Sequence, residues 1–385
     1  MVMLNSIVFN KFIIEPGYIE CFYEDSSKES GTLKFELSEP VVPRNDLIAL
    51  SLSTLCGRKY QEIELELSIS SRAKINIERF TNSEVIVETF EQISHRRKKR
   101  ANLTLNFSGG FDSLAALSLM PENTMLVSMD FGGRFSREMK FINSFNAVTC
   151  KTNIIDTNFR KNSWTFMGIG SILFSDFLQT DIHTFGSILG ASVISNSKMA
   201  AMNHNPLPFK GADLENAPYV MPLTEAGTAK IALQSYPELI KDSLNSLANP
   251  KEEKRYRKQL LVNAVMKKHD LNIEIENVPE PSTFRFSWGE NFQADFITLY
   301  LIKNLPDDVQ LTVGDIPDEA YSLVNELSLD FYERVNTNYL ANFPIELQGN
   351  LLKSLINHGM LTYTENDWIE FNKVRDLFKN YYNIN

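Results

Sequence analysis

Leu103-Thr104-Leu105-Asn106-Phe107-Ser108-Gly109-Gly110-Phe111-Asp112-Ser113-Leu114 is the stretch on which the reading of this chain turns. Leu103–Phe107 reads as a short buried strand, Ser-Gly-Gly as a tight turn, and Leu114–Met120 as an apolar helix. Two glycines let the backbone bend and come close to a ligand with no Cβ in the way. A helix starting near Asp112 or Ser113 offers unpaired N–H groups at its positive end, and Ser108 and Ser113 add hydroxyl donors. The segment therefore predicts a concave nest of donors, Ser108, Gly109, Gly110 and Ser113, sized for a phosphate or pyrophosphate. Beside phosphates, Asp112 makes sense as a ligand for Mg²⁺ or as a helix cap. A lysine-bearing Walker loop is absent, which argues against γ-phosphate transfer of that kind.

Working outward, Asn102 to Val265 alternates strand and helix patterns. Thr124–Met129, Ala147–Ile155 and Ile182–Phe185 read as further strands, and Phe135–Phe145 and Trp164–Leu178 as helices, the second long and buried. Strands joined through helices imply βαβ units and a mainly parallel sheet, with ligands beyond the carboxyl ends of the strands. Before this, Ser6–Ile14, Thr32–Leu37, Glu62–Ile69, Ala73–Ile77 and Glu84–Thr89 read as short strands divided by turn residues. After it, Phe292–Ile302, Pro317–Arg334 and Ile345–Asn357 read as helices. Leu361–Thr364 and Trp368–Phe371 then read as two short strands, and Lys373–Tyr382 as a last helix, an order that suits a winged-helix-like shape or a plain α+β packing module. The expected fold class is α/β: a parallel-sheet, Rossmann-like core over 101–270, an N-terminal β-rich domain over 1–100 and a C-terminal, mostly α domain over 271–385.

Ser-Gly-Gly-x-Asp-Ser between a strand and a helix resembles the PP-loop of ATP pyrophosphatase-type enzymes, which split ATP between the α and β phosphates. Ser128-Met129-Asp130-Phe131-Gly132-Gly133-Arg134-Phe135-Ser136-Arg137-Glu138 is similar to the Asp-Tyr-Gly-Gln-Arg-His-x-x-Glu segment of one branch, the 7-cyano-7-deazaguanine synthases. The resemblance runs from Leu103 to about Gln234, through the Gly186-Ser187 turn, Met221-Pro222-Leu223 and Thr228-Ala229-Lys230-Ile231. It implies an adenine nucleotide alpha hydrolase-like core in which Ser108, Gly109, Gly110, Asp112 and Ser113 cradle the pyrophosphate of ATP, with Asp112 near Mg²⁺. It further implies that Asp130 lies by the nucleotide or substrate, that Arg134 faces the pocket braced by Glu138, and that Lys230 stands for the basic residue of the family's Ser-Lys-x-Glu-Ile box, shifted by two places. Asp112, Asp130 and Lys230 are then the expected catalytic residues. From the residues alone, Asp130 also reads as a strand-end cap, and Arg134 with Glu138 as a surface ion pair. The family's zinc cluster of four cysteines has no counterpart, since Cys150 is the only cysteine after the loop, so no zinc is expected.

Charge and composition bound the alternatives. The 385 residues are 43% hydrophobic and 22% charged, ordinary globular usage that rules out wholesale disorder. A net charge of −10 means that any polyanion must meet a local positive patch. Three separated cysteines make no disulfide framework, and no apolar run or leader suggests a membrane or secretion, so a cytoplasmic location is expected. Two basic clusters stand out. His95–Arg100 reads as a phosphate grip or as a solvated linker. Lys251–Lys258 offers Lys254, Arg255, Arg257 and Lys258, of which Arg257 and Lys258 would clamp the triphosphate or departing pyrophosphate, or else pair with Glu252 and Glu253 in water. Of the five histidines, His183 reads as a core residue and His204 as a loop residue that could line the pocket; none has metal-ligand spacing.

The expected activity is that of an ATP- and Mg²⁺-dependent adenylating enzyme, activating a carboxylate or amide oxygen for attack by ammonia or an amine. Position 2 is Val, which excludes an N-terminal-cysteine glutaminase, so ammonia is expected from solution or from a partner. The acceptor is a small molecule or a modified macromolecule, with a protein partner through either flanking domain. The rival expectation is a nucleotide-binding, weakly catalytic subunit of a defence or modification assembly. Direct nucleic-acid binding is a third expectation, opposed by the acidic balance.

Overall fold

A computed structural model of the chain describes residues 5–91, 100, 102–191, 206–307, 312–341 and 343–384, with Arg134 described by its backbone. His204 and His95–Lys99 lie outside these residues. In chain order the strands are β1 (Ser6–Glu15), β2 (Tyr18–Asp25), β3 (Ser30–Leu37), β4 (Glu62–Ser70), β5 (Glu84–Phe90), β6 (Asn102–Asn106), β7 (Met125–Asp130), β8 (Ala147–Thr152), β9 (Thr180–Phe185) and β10 (Glu215–Asn216). The helices are α1 (Asn45–Cys56), α2 (Ser71–Thr81), α3 (Phe111–Leu119), α4 (Ser136–Ile142), α5 (Ile169–Phe174), α6 (Leu207–Gly211), α7 (Glu225–Ser235), α8 (Ile240–Leu247), α9 (Glu253–Lys268), α10 (Phe292–Asn304), α11 (Asp318–Glu326), α12 (Ile345–Asn357) and α13 (Glu365–Phe378). The chain divides into two compact units, one of residues 1–108, 123–184 and 204–216, the other of 109–122, 185–203 and 217–385.

The first unit is built on a ten-stranded, mostly parallel sheet in the order β10-β9-β6-β7-β8-β3-β2-β1-β4-β5. β6, β7 and β8 run parallel, with Thr104 beside Met125 and Met129 beside Cys150. The antiparallel strands β1–β3 follow, β3 joining β8 through Phe35 opposite Thr152 and Leu37 opposite Cys150. β1, β4 and β5 are parallel again. The strands expected to form a separate N-terminal domain thus extend the same sheet as the α/β strands. Alternation marks Leu33, Phe35 and Leu37 as buried but carries no information about which neighbour they pair with.

Two helices of this unit correct the sequence reading. Ala73–Ile77 is not a strand but part of α2: Ala73, Ile77 and Thr81 are the buried positions, at helical spacing, whereas Ile75 is exposed. Ser70 caps it by accepting from the Ala73 amide at 3.1 Å, and Asp46 in turn accepts from the Ser70 amide and hydroxyl, both at 2.7 Å. α1 is buried along nearly its whole length. Two of its three hydroxyls turn back onto the helix, Ser53 donating to the Leu50 carbonyl and Thr54 to that of Ser51, each at 2.6 Å, so that burial leaves these two donors satisfied. All three cysteines, Cys21, Cys56 and Cys150, are free and buried in this unit, and burial pushes every thiol up, Cys21 to about 12. Trp164–Leu178 is not one long helix but a 3₁₀ turn, Trp164–Gly168, followed by α5, with Trp164 exposed.

The second unit is helical. α3 packs on α7, α7 on α9, and α9 on α10. Phe292, Phe296, Phe331, Tyr332 and Phe378 form an aromatic core, with the Phe296 and Tyr332 rings 4.7 Å apart. The winged-helix order does not form among the described residues. Trp368–Phe371 lies inside α13, because Thr364 and Asp367 make a reciprocal cap that starts a helix there, and Leu361–Thr364 contributes only a bridge from Thr362 to Val335.

Candidate functional site

β6 ends at Asn106, and the chain turns through Ser108, Gly109 and Gly110 into α3. Gly109 has φ +75°, a conformation that L side chains resist, and Gly110 is the N-cap, contributing no side chain to its own helix. In the second unit the loop is held from two sides. The Ser243 hydroxyl of α8 donates to the Gly109 carbonyl at 2.7 Å. Gly186 backs onto the first turn of α3: a Cβ there would stand 2.9 Å from the Ser113 amide nitrogen and 3.2 Å from the Asp112 Cβ. A glycine at 186 is therefore a condition of this loop geometry.

Asp112 is not the cap of α3. It sits in the first turn, and its carboxylate accepts from the Thr228 hydroxyl of α7 at 2.5 Å. Burial pushes the Asp112 carboxyl above its ordinary range, and nearby Glu225 adds to this, against the pull of Lys258, the Thr228 hydroxyl and Lys254. Glu225, at the start of α7, makes a buried ion pair with Lys258 of α9. Burial opposes the charge on both partners, yet each holds it: the Lys258 ammonium, with Asp112 also drawing on it, is raised, and the Glu225 carboxyl, with Lys258 and then Arg257 beside it, is lowered. Lys258 also lies 5.7 Å from the centre of the Phe111 ring. Arg257 donates to Glu253 at 2.7 Å, both side chains nearly fully buried. The result is a cluster of three carboxyls, Asp112, Glu225 and Glu253, and two cations, Arg257 and Lys258, in which burial drives Asp112 toward its protonated form.

Asp130, at the end of β7, accepts from the Gly132 amide at 2.8 Å, so its carboxylate closes its own turn. Arg134 lies within the 3₁₀ turn Gly133–Phe135 that leads into α4, and Glu138 lies in the first turn of that helix. Lys230 is two residues beyond Thr228 on α7, about 200° around the helix, and its charged neighbours are Glu333, Lys268 and Arg334 rather than the loop. Burial, with Lys268 and Arg334, lowers its ammonium against the attraction of Glu333. The structure does not bring Lys230 to Asp112. Arg255, Arg257 and Lys258 are buried and paired rather than exposed as a solvated helix face. Arg100, the described end of the first basic run, is tied to Asp176 at 2.6 Å and to the Ser175 carbonyl at 2.7 Å. His183 is a core residue, its ring stacked on Phe209 at 4.3 Å.

Sequence reasoning missed Glu225, Ser243 and the role of Thr228. Thr224 and Thr228 lie one turn apart at the start of an apolar helix, a signal for a hydroxyl-bearing face; nothing in the sequence marks Ser243. Among the described residues no group of three or more His, Cys, Asp and Glu converges as a metal site, and no helix is long and apolar enough to cross a membrane. Comparison with protein-family models, with curated proteins and with solved structures gives no match.

Proposed function

We propose that the chain is an ATP-dependent adenylating enzyme with a PP-loop, adenine nucleotide alpha hydrolase-like core, of the C–N ligase kind that resembles 7-cyano-7-deazaguanine synthase. The observation that carries this reading is Asp112, held in the first turn of a glycine-capped helix by Thr228 and facing Lys258. The α3 amides and the loop Ser108–Ser113 would orient the β,γ-diphosphate, and Lys258, which keeps its proton, would offset charge as that group departs. An acceptor carboxylate oxygen attacks the α-phosphorus, the bond to the bridging oxygen breaks, and pyrophosphate leaves. A nitrogen nucleophile then adds to the acyl carbon, AMP leaves with the bonding pair, and the nitrogen's proton passes to solvent. Orientation and charge neutralisation suffice, so no protein nucleophile is needed.

The donors present fit a Mg²⁺ held mainly by phosphate and water, with the Asp112 carboxylate as protein ligand and Glu225 beside it. Such an ion, when bound, neutralises charge on the phosphates. Because a ligating carboxylate must be ionised, affinity should rise with pH as Asp112, whose carboxyl burial pushes up, loses its proton.

Incubation with ATP, Mg²⁺ and a metabolite extract tests the reading: AMP with pyrophosphate supports it, and ADP alone overturns it. The second reading, a nucleotide-binding subunit with little catalysis, is favoured by the internal compensation of Arg257 and Lys258 by Glu253 and Glu225. Nucleotide binding by calorimetry with no turnover in any extract would select it.

A further inference from the structure

Three helices of the second unit end together. Ser118 stands one residue before the end of α3, Ser235 is the last residue of α7, and His358 caps the C-terminus of α12. A helical serine or threonine commonly turns its hydroxyl back onto its own helix, as Ser53 and Thr54 do on α1. Ser118 and Ser235 instead face each other and a shared imidazole. Their hydroxyl oxygens lie 2.7 Å apart, and each is 2.9 Å from His358 Nε2. His358 Nδ1 lies 2.7 Å from the Ser354 carbonyl, a group that can only accept, so Nδ1 carries a proton. In the neutral ring Nε2 therefore presents its lone pair to the serines. The Ser354 hydroxyl donates to the Ser118 carbonyl at 3.3 Å, so one residue anchors both Ser118 and the imidazole. All four side chains are half-buried and thus within reach of solvent.

We propose that Ser118, His358 and Ser235 form a hydrolytic site for carboxylic esters that carry no negative charge, with Ser118 as the nucleophile. The arrangement supplies a hydroxyl against a basic nitrogen, a group that orients the ring, and a second hydroxyl beside the first. Ser118 Oγ attacks the ester carbonyl carbon while its proton passes to His358 Nε2. The Ser235 hydroxyl donates to the oxygen that gains charge. The bond to the alcohol oxygen then breaks, and the leaving alkoxide takes the proton from Nε2. Water repeats both steps on the acylated Ser118, which frees the acid and restores the hydroxyl. Ser354 is a positioning residue, and its double hold is what selects Ser118 over Ser235 for the attack. The negative ends of three helix dipoles meet here; they favour the imidazolium formed during attack and repel an anionic ester. This site is independent of the nucleotide-loop reading, since Ser118 lies at the other end of α3 from Asp112, about 9 Å along the helix.

Treating the full chain with a fluorophosphonate and mapping the labelled peptide tests this without any substitution. One adduct is expected, on Ser118. Among variants whose circular dichroism is unchanged, Ser118→Ala should abolish the adduct, and His358→Gln should slow it by about 10²-fold or more. Ser235→Ala should keep the adduct on Ser118 and slow its formation by about 10²-fold. Hydrolysis of p-nitrophenyl acetate should fall in the same variants, and the anionic p-nitrophenyl hemisuccinate should react more slowly than the acetate. A wild-type chain that takes no adduct, an adduct on a serine other than Ser118, or labelling that His358→Gln leaves unchanged would each overturn the proposal.

Discussion

Two loops of this chain have nearly the same composition and opposite construction. Each follows a strand of the parallel set, each contains adjacent glycines, and each carries an aspartate. After β6, Asp112 is lifted onto a helix, met by a hydroxyl from another helix and faced by a buried lysine; the glycine behind it leaves no room for a Cβ. After β7, Asp130 folds back onto the Gly132 amide of its own turn, and Cβ atoms added at Gly132 or Gly133 would meet nothing within 4 Å. The difference separates a carboxylate placed by tertiary packing from one whose position is purely local. The first has surroundings that change what the group does.

The largest expected break comes from Lys258→Met, which leaves Glu225 buried without its counter-charge and should cost about 3–5 kcal/mol of stability by denaturant unfolding. A loss below about 1 kcal/mol would mean that water reaches the pair. Next comes the contrast between the two aspartates. Asp112→Asn should lower AMP formation about 10²–10³-fold, while Asp130→Asn, which keeps an acceptor for Gly132, should cost less than about tenfold. Equal losses would erase the distinction. Gly186→Ala should then destabilise by about 1–3 kcal/mol because its methyl meets the α3 backbone. Gly132→Ala, with φ +62° and ψ −166° but open space, should cost about 1–3 kcal/mol from backbone strain alone, since that region is essentially open to glycine only.

Asp295 combines the two cases. It is fully buried, accepts from the Gly289 amide at 2.7 Å and from the Tyr382 hydroxyl, and burial raises its carboxyl to about 6 against those bonds. A folded-state value above the unfolded one gives stability that is full below about pH 4 and lost as pH rises through about 6, on the order of 2 kcal/mol in all. Asp295→Asn, still able to accept from both donors, should flatten that slope in urea titrations at pH 4 and 8.

What the sequence disclosed follows the same division between local and tertiary causes. The strand–loop–helix around Ser108 was readable because apolar pattern and glycine punctuation change within a few residues. α2 was misread because Ala73, Ile75 and Ile77 alternate, while the positions that pack are Ala73, Ile77 and Thr81. α13 was misread although Thr364 and Asp367 spell a helix start: Trp368–Phe371 reads as a short strand. Within the candidate site, the loop and the cations of α9 were legible as residue types. Their pairing was not, because Glu225–Lys258 and Asp112–Thr228 join positions far apart in sequence, a relation that periodicity does not encode.

The sulfhydryls of Cys21, Cys56 and Cys150 have a practical consequence. All three belong to the sheet-bearing unit, and their burial, with thiolate formation pushed out of reach near neutrality, shields them from alkylating reagents until that unit opens. The unaltered protein thus carries its own clock: the rate at which a maleimide reacts should report opening of that unit alone, and a burst of labelling in the native state would show the clock to be broken.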